Sequence, residues 1–123
     1  MKRVMILLPT LDEAEGLAQI LPRIPVAQLS KKGWDVETLI IDGGSEDESG
    51  EIAQSFGCRF MPQQGKGKGA AMRLGFVQFL KSKCDALVMF DPDGTYHPEE
   101  ILKLLSKLDH ADVVVGDRLR GAM

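Results

Sequence analysis

Ala86-Leu87-Val88-Met89-Phe90-Asp91-Pro92-Asp93-Gly94-Thr95-Tyr96-His97-Pro98 joins an apolar run to an acidic turn, and then to a helical pattern containing Ile101, Leu102, Leu105 and Leu108. The pattern predicts a buried strand that delivers two carboxylates, one residue apart, onto a loop that opens a helix. Residues two apart in an extended segment lie on the same side, so Asp91 and Asp93 can address one object together. A hard divalent cation that carries phosphates fits, because magnesium sites commonly use one or two carboxylates plus substrate phosphate oxygens. On this motif alone a local alternative stands level with it: Asp-x-Asp-Gly also caps a helix through its own side chains. A calcium loop fits less well, since the third acidic position and the glutamate at the twelfth are missing.

The same grammar repeats along the chain. Val4-Met5-Ile6-Leu7-Leu8 is an apolar run of the kind buried on both faces of a sheet, and it ends at Pro9-Thr10. A helix is expected after Asp12, capped by Asp12 with Glu15, carrying Ala14, Leu17, Ala18 and Leu21 and closed by Pro22 and Pro25. A second strand over residues 36–41 ends at Asp42-Gly43-Gly44-Ser45. Ser45 and Glu48 then form a capping box for a helix with Ile52, Ala53 and Phe56, stopped by Gly57. A short strand is expected at residues 58–61. The glycine- and lysine-rich loop Gly65-Lys66-Gly67-Lys68-Gly69-Ala70-Ala71 follows, leading a helix with Ala70, Leu74, Val77 and Leu80 on one stripe. A last strand over residues 112–115 ends at Gly116-Asp117-Arg118.

Alternating strands and helices predict an α/β domain: an open, mostly parallel sheet with helices on both faces. In such sheets ligands bind outside the carboxyl ends of the strands, at a switch in strand order. Pro9-Thr10, Asp42-Gly43-Gly44, Asp91-Pro92-Asp93 and Asp117-Arg118 all fall on that one edge.

The 123 residues suit one domain with a single core. With 44% hydrophobic and 27% charged residues the composition is that of a globular chain rather than a disordered one. A net charge of -3 argues against nucleic acid as the main partner. The apolar opening is too short for a signal peptide, and no stretch approaches a transmembrane length. Cys58 and Cys84 lack metal-ligand spacing and read as reduced thiols, which points to the cytoplasm.

Asp42 has two readings of equal weight: it caps the Gly43-Gly44 turn, or it accepts hydrogen bonds from a nucleobase or ribose. The loop at 65–71 fits neither the dinucleotide fingerprint nor a Walker loop, since no Ser or Thr follows Lys66 or Lys68. A flexible backbone with two ammonium groups at a helix N-terminus is nevertheless a good anion cradle, to which Arg73 can add a bidentate phosphate contact; the alternative is a solvated basic loop, and Lys68 taken alone favours that alternative. Arg118 follows the last strand, where its guanidinium can face phosphates.

The blocks Pro9-Thr10-Leu11-Asp12-Glu13, Ile41-Asp42-Gly43-Gly44-Ser45-Glu46-Asp47, Gly67-Lys68-Gly69-Ala70-Ala71, Asp91-Pro92-Asp93-Gly94 and Val115-Gly116-Asp117-Arg118 resemble, in this order, a family 2 glycosyltransferase. The nearest branch is that of dolichyl-phosphate mannose synthases and polyprenyl-phosphate glycosyltransferases. The resemblance implies a GT-A, Rossmann-like nucleotide-sugar-binding fold over residues 1–123, the donor-binding part of a protein whose relatives continue into an acceptor-binding half. It implies that Pro9, Thr10, Leu11, Glu13, Asp42 and Gly44 hold the nucleoside side of the donor, with Lys68 and Arg73 near it. On the same resemblance Asp91, Pro92 and Asp93 would form the DxD motif that holds Mg2+ or Mn2+ on the diphosphate, and Arg118 would lie near the phosphates, which makes Asp91, Asp93 and Arg118 the catalytic candidates. It further implies inverting transfer from a GDP-mannose or UDP-glucose type donor to a lipid phosphate, with peripheral association at the cytoplasmic face of the membrane. A non-catalytic nucleotide-sugar-binding module and a nucleotidyltransferase of related fold are the alternatives. The chain departs from the family where Leu11 replaces the common tyrosine, Asp12 the asparagine, Pro92 an alanine and Asp117 a serine.

Overall fold

Val4, Met5, Ile6, Leu7 and Leu8 are almost completely excluded from solvent, so strand β1 (Lys2–Thr10) runs through the middle of the molecule. A computed structural model describes residues 2–63, 65–94, 96–106 and 113–115. In chain order β1 is followed by α1 (Ala14–Ile20), a 3-10 turn (Leu21–Arg23), α2 (Val26–Lys31), β2 (Trp34–Asp42), α3 (Ser49–Ser55) and β3 (Arg59–Pro62). Then come α4 (Lys68–Ser82), β4 (Ala86–Met89), a second 3-10 turn (Pro98–Glu100), α5 (Ile101–Ser106) and β5 (Val113–Val115). The sheet order is β3-β2-β1-β4-β5 and every pairing is parallel. The expected open parallel α/β sheet is what forms.

Alternation along the strands divides the core in two. Val4, Ile6 and Leu8 share one face with Ile40, Ala86 and Val88, covered by Leu17 and Ile20 of α1, Leu29 of α2, Ala53 of α3 and Ile101 and Leu105 of α5. Met5 and Leu7 share the other with Leu39, Ile41, Leu87 and Met89, covered by Ala71 and Phe79 of α4. Helices of six or seven residues are not stable alone, because nucleation costs more than so few hydrogen bonds return. Burying a side chain such as Leu29, fully enclosed, contributes about 1.5–3 kcal/mol and tips the balance.

Three local expectations are corrected. The first helical region closes at Arg23, between Pro22 and Pro25 as expected, but a second short helix that the sequence pattern does not predict follows, with Pro25 at its N-cap, where a missing N–H costs nothing. Helices α1 and α3 do not carry the expected caps: α1 starts at Ala14 and α3 at Ser49, with no capping bond from Glu13 or Glu48. On α4 the expected stripe is wrong in part. Ala70 is buried and Leu74 partly so, but Val77 is 44% and Leu80 77% exposed, and the sheet-facing line runs instead through Ala71, Gly75 and Phe79. Apolar residues surround this helix, so periodicity does not single out a face. Gly75 does: a Cβ there would lie 2.2 Å from Leu7 Cδ2, and its absence lets α4 approach β1.

The two neighbours of β1 part from it at different heights. Pairing with β2 continues to Thr10↔Asp42, whereas pairing with β4 ends at Leu7↔Met89. Leu7 O accepts Phe90 N (3.3 Å) and Thr10 O accepts Gly43 N (2.7 Å), so alternate residues face alternate neighbours. Pro9 therefore faces the β4 side, where the ladder has ended and a missing N–H breaks no bond. Connections from β1 go one way to β2, and from β3 the other way to β4. The gap between the carboxyl ends of β1 and β4 is thus the switch point of the sheet.

Candidate functional site

A pocket of about 500 Å³ opens at this switch point. It lies within the range of small-molecule sites, about 300–1,000 Å³. Pro9, Thr10, Leu11 and Glu13 line it from the end of β1, Gly43 from β2, Gln63 from β3, Lys66, Gly67 and Ala71 from the start of α4, and Asp91, Pro92 and Asp93 from the end of β4. Of the residues singled out from sequence, the pocket brings together Pro9, Thr10, Leu11, Glu13, Asp91, Pro92 and Asp93. Arg73 is exposed on the second turn of α4, outside the lining, and Lys68 opens α4 with its side chain outside the described residues. Arg118 lies outside the described residues altogether, as does the Asp117 beside it.

Asp42 is buried behind the pocket wall and holds the turn that follows β2. Its Oδ2 accepts Gly44 N (3.0 Å) and Ser45 N (2.8 Å), and its Oδ1 accepts the Ser45 hydroxyl. Gly44 at φ 106 supplies the positive backbone angle that the turn needs. Three of about four carboxylate lone-pair sites are thereby used. The turn-capping reading of Asp42 is realised.

The β1–α1 and β2–α3 loops clasp each other. Asp12 N donates to Ser45 Oγ (2.8 Å) and Glu46 N to Asp12 Oδ1 (2.7 Å), which offsets the strain of Asp12 at φ 50. Asp47, not Asp12, caps α1: its Oδ2 accepts Ala14 N (3.0 Å) while its Oδ1 accepts Ser49 N (3.0 Å) and Ser49 Oγ (2.5 Å). The Ser49 hydroxyl bond, chiefly, holds the Asp47 carboxyl below its ordinary value. Ser49 Oγ in turn accepts Glu13 N (3.2 Å), which fixes the backbone of Glu13 at the pocket rim.

The acidic loop is anchored at both ends, with Phe90 and Tyr96 each 1% exposed and their rings in tilted contact, 4.6 Å between centroids. Between them Asp91 is half-buried and Asp93 exposed. Burial first, and then the charges of Asp93, Asp91 and Asp47, push the Glu13 carboxyl above its ordinary value. Glu13, Asp91 and Asp93 thus form one negative field in the pocket. Among the described residues no three acidic, histidine or cysteine groups converge as a complete metal cage. Two carboxylates that leave further positions to a ligand's own oxygens are the donor set of a cation shared with phosphates, so these residues fit Mg2+ or Mn2+ brought with a diphosphate.

Opposite this field stands the start of α4. Gln63 Nε2 donates to the carbonyls of Gly65 (3.3 Å) and Gly67 (2.9 Å), folding the loop so that Lys66 and the helix N-terminus face the pocket. Sequence reading passed over Gln63 and Gly43 as site residues. Gln63 stands directly after β3, so the rule that found Asp42 and Asp91 at strand ends would have found it too.

Comparison with known proteins identifies the family and the fold. The family model described as glycosyl transferase family 2 matches residues 5–122. The glycosyltransferase AglJ of Haloferax volcanii is 35% identical over 94% of this chain and 36% of its own length. The polyprenol monophosphomannose synthase of Mycolicibacterium smegmatis is 33% identical over 95% of this chain and 45% of its own. The chain spans less than half the length of these relatives. Glucosyl-3-phosphoglycerate synthase of Mycobacterium tuberculosis, solved with Mn2+, UDP and glucosyl-3-phosphoglycerate, superposes with a TM-score of 0.70 over 90% of this chain and 41% of that one, at 22% identity. That likeness speaks for the GT-A fold. Among the described residues no helix is long and apolar enough to cross a membrane. With the family model matching almost the whole chain, the protein belongs to glycosyl transferase family 2.

Proposed function

We propose that this chain is the donor-binding part of a metal-dependent, inverting glycosyltransferase that moves mannose or glucose from a nucleotide-diphosphate sugar to a polyprenyl phosphate. The observation that carries the reading is the meeting of Asp91 and Asp93 with the ends of β1 and β2 in one pocket at the switch point. The acceptor class rests on the names of relatives such as the polyprenol monophosphomannose synthase and the undecaprenyl-phosphate mannosyltransferase of Micrococcus luteus.

The division of labour follows from charge. Asp91 and Asp93 would hold Mg2+ or Mn2+, and the cation would supply positive charge for the diphosphate that leaves. Lys66 and the N-terminus of α4 face the same diphosphate from the other wall, and Lys68, Arg73 and Arg118 add positive charge around the phosphates. Leu11, Pro9 and Thr10 offer the nucleoside a wall with an apolar rim, over the Asp42 turn and Gly44. A lipid phosphate is already anionic, so Asp91 and Asp93 need not act as strong bases, and the attack proceeds on the face opposite the leaving group.

Thermal unfolding with a panel of GDP- and UDP-sugars, with and without Mn2+, tests the reading. A donor at a hundredfold excess over its Kd stabilises by about 2.7 kcal/mol, a rise in Tm on the order of 10 °C for a domain of this size. We expect one donor to shift Tm only with Mn2+, and Asp93→Ala to abolish the shift while the protein stays folded. Equal shifts without metal would refute the role of the acidic pair, and pyrophosphate release from a nucleoside triphosphate plus sugar phosphate would favour a nucleotidyltransferase.

A further inference from the structure

Helix α1 touches the acidic loop backbone to backbone. A Cβ built on Gly16 would lie 1.9 Å from the carbonyl oxygen of Pro92 and 3.1 Å from Glu13 Oε2. A carbon–oxygen contact normally rests at about 3.3 Å or more, so any side chain at residue 16 forces helix and loop apart by more than about 1 Å. The obstacle is a backbone carbonyl rather than the end of a flexible side chain, and it sits between Asp91 and Asp93. A second contact braces the far end of the same connection. Arg23, in the 3-10 turn that continues α1, donates from Nε and Nη2 to the two carboxylate oxygens of Glu99, both at 2.7 Å, and its Nη2 lies 3.3 Å from His97 Nδ1. The forked bond draws the Glu99 carboxyl down to about 2.

We infer that α1 and its 3-10 extension position the acidic loop, with Gly16 setting the distance of Asp91-Pro92-Asp93 from Glu13 and Arg23 bracing its far end through Glu99. Gly16 and Arg23 touch neither donor nor cation; they act through the loop. The inference rests on the proposed role of Asp91 and Asp93. Sites of this kind tolerate little displacement, and a shift of about 1 Å can cost about a hundredfold.

The test compares Gly16→Ala, Arg23→Gln and Phe79→Ala in the 123-residue chain. Phe79→Ala is the control, because it leaves a cavity on the opposite face of the sheet, about two turns along α4 from the pocket-lining Ala71, and so destabilises without pushing any backbone against the acidic loop. Two readouts are taken: the amide resonances of Asp91 and Gly94 without metal, and Mn2+ affinity by electron paramagnetic resonance with whichever of GDP or UDP binds the wild type. Gly16→Ala is expected to move those amides and weaken Mn2+ binding by about tenfold or more. Arg23→Gln, an exposed change of little consequence for stability, weakens it less. Phe79→Ala lowers Tm and leaves the affinity unchanged. Wild-type affinity in Gly16→Ala, or an equal loss in Phe79→Ala, overturns the inference. Should Gly16→Ala fail to fold, unchanged affinity in Arg23→Gln overturns it. If the wild type binds no Mn2+ with either nucleotide, the cation role of the loop falls, while amides moved in Gly16→Ala alone still uphold the brace.

Discussion

Replacing Asp42 by alanine separates a residue that builds the site from one held in reserve for ligand. The carboxylate is 7% exposed and accepts from Gly44 N at 3.0 Å, Ser45 N at 2.8 Å and the Ser45 hydroxyl. A hydrogen bond to a charged group contributes about 1.5–3 kcal/mol, so three simple bonds would sum to more than this turn can lose. The freed donors of Gly44 and Ser45 lie at a loop surface where water replaces much of what is lost. Ser45 also accepts from Asp12 N at 2.8 Å, so its release loosens the neighbouring loop. The net expectation is a loss of about 2–3 kcal/mol for Asp42→Ala in the ligand-free protein, a large share of the 5–15 kcal/mol that holds a domain together. Asn in its place keeps the shape and one accepting oxygen, and loses about 1 kcal/mol. Urea unfolding without metal or nucleotide measures both, and the denaturant slope should stay that of the wild type. An Asp42→Ala protein within about 0.5 kcal/mol of wild type would refute the reasoning. The carboxylate would then be idle in the free protein and available to a nucleoside.

Three further outcomes follow from particular residues. The Glu13 carboxyl, raised above its ordinary 4.5 by burial and then by Asp93 and Asp91, favours its protonated form in the folded state. Its contribution to stability is therefore complete below the unfolded-chain value and is lost as pH rises through the folded one. Glu13→Gln should match the wild type in acid and be the more stable of the two near neutrality. Asp93→Asn should bring the Glu13 midpoint, followed by NMR, back down; an unmoved midpoint would separate the two groups. On α4, Phe79→Ala should cost about 3–4 kcal/mol while Leu80→Lys is neutral, as equilibrium unfolding can establish; the reverse would restore the stripe read from periodicity.

Much of the architecture is local and so was legible residue by residue. The runs at Val4–Leu8, Leu39–Ile41 and Ala86–Met89 are apolar throughout because both faces of a parallel sheet are covered, and each becomes a strand. Parallel pairing puts the residues after every such run on one edge. Asp91 and Asp93 therefore met Pro9, Thr10, Leu11 and Glu13 without any knowledge of strand order. The errors lie where a decision is made by something distant. Asp12 resembles a cap, but Asp47, 33 residues away from Ala14, wins that N–H because the two loops are brought together by β1–β2 pairing. Pro25 closes the first helical region as expected, but it also opens a second helix, because Leu29 has a core to fill.

By itself, then, the sequence determined the parallel α/β class, the edge on which the pocket opens, and the acidic pair that lines it, since periodicity and strand-end composition are carried within a few residues. Only the tertiary structure decided the order β3-β2-β1-β4-β5, the parting of β4 from β1 after Leu7, the sheet-facing line of α4 through Gly75, and the contact of Gly16 with Pro92. These depend on how closely backbones far apart in sequence can approach. A glycine marks such an approach by having no side chain, and the meaning of that absence appears only when the opposing backbone is in place.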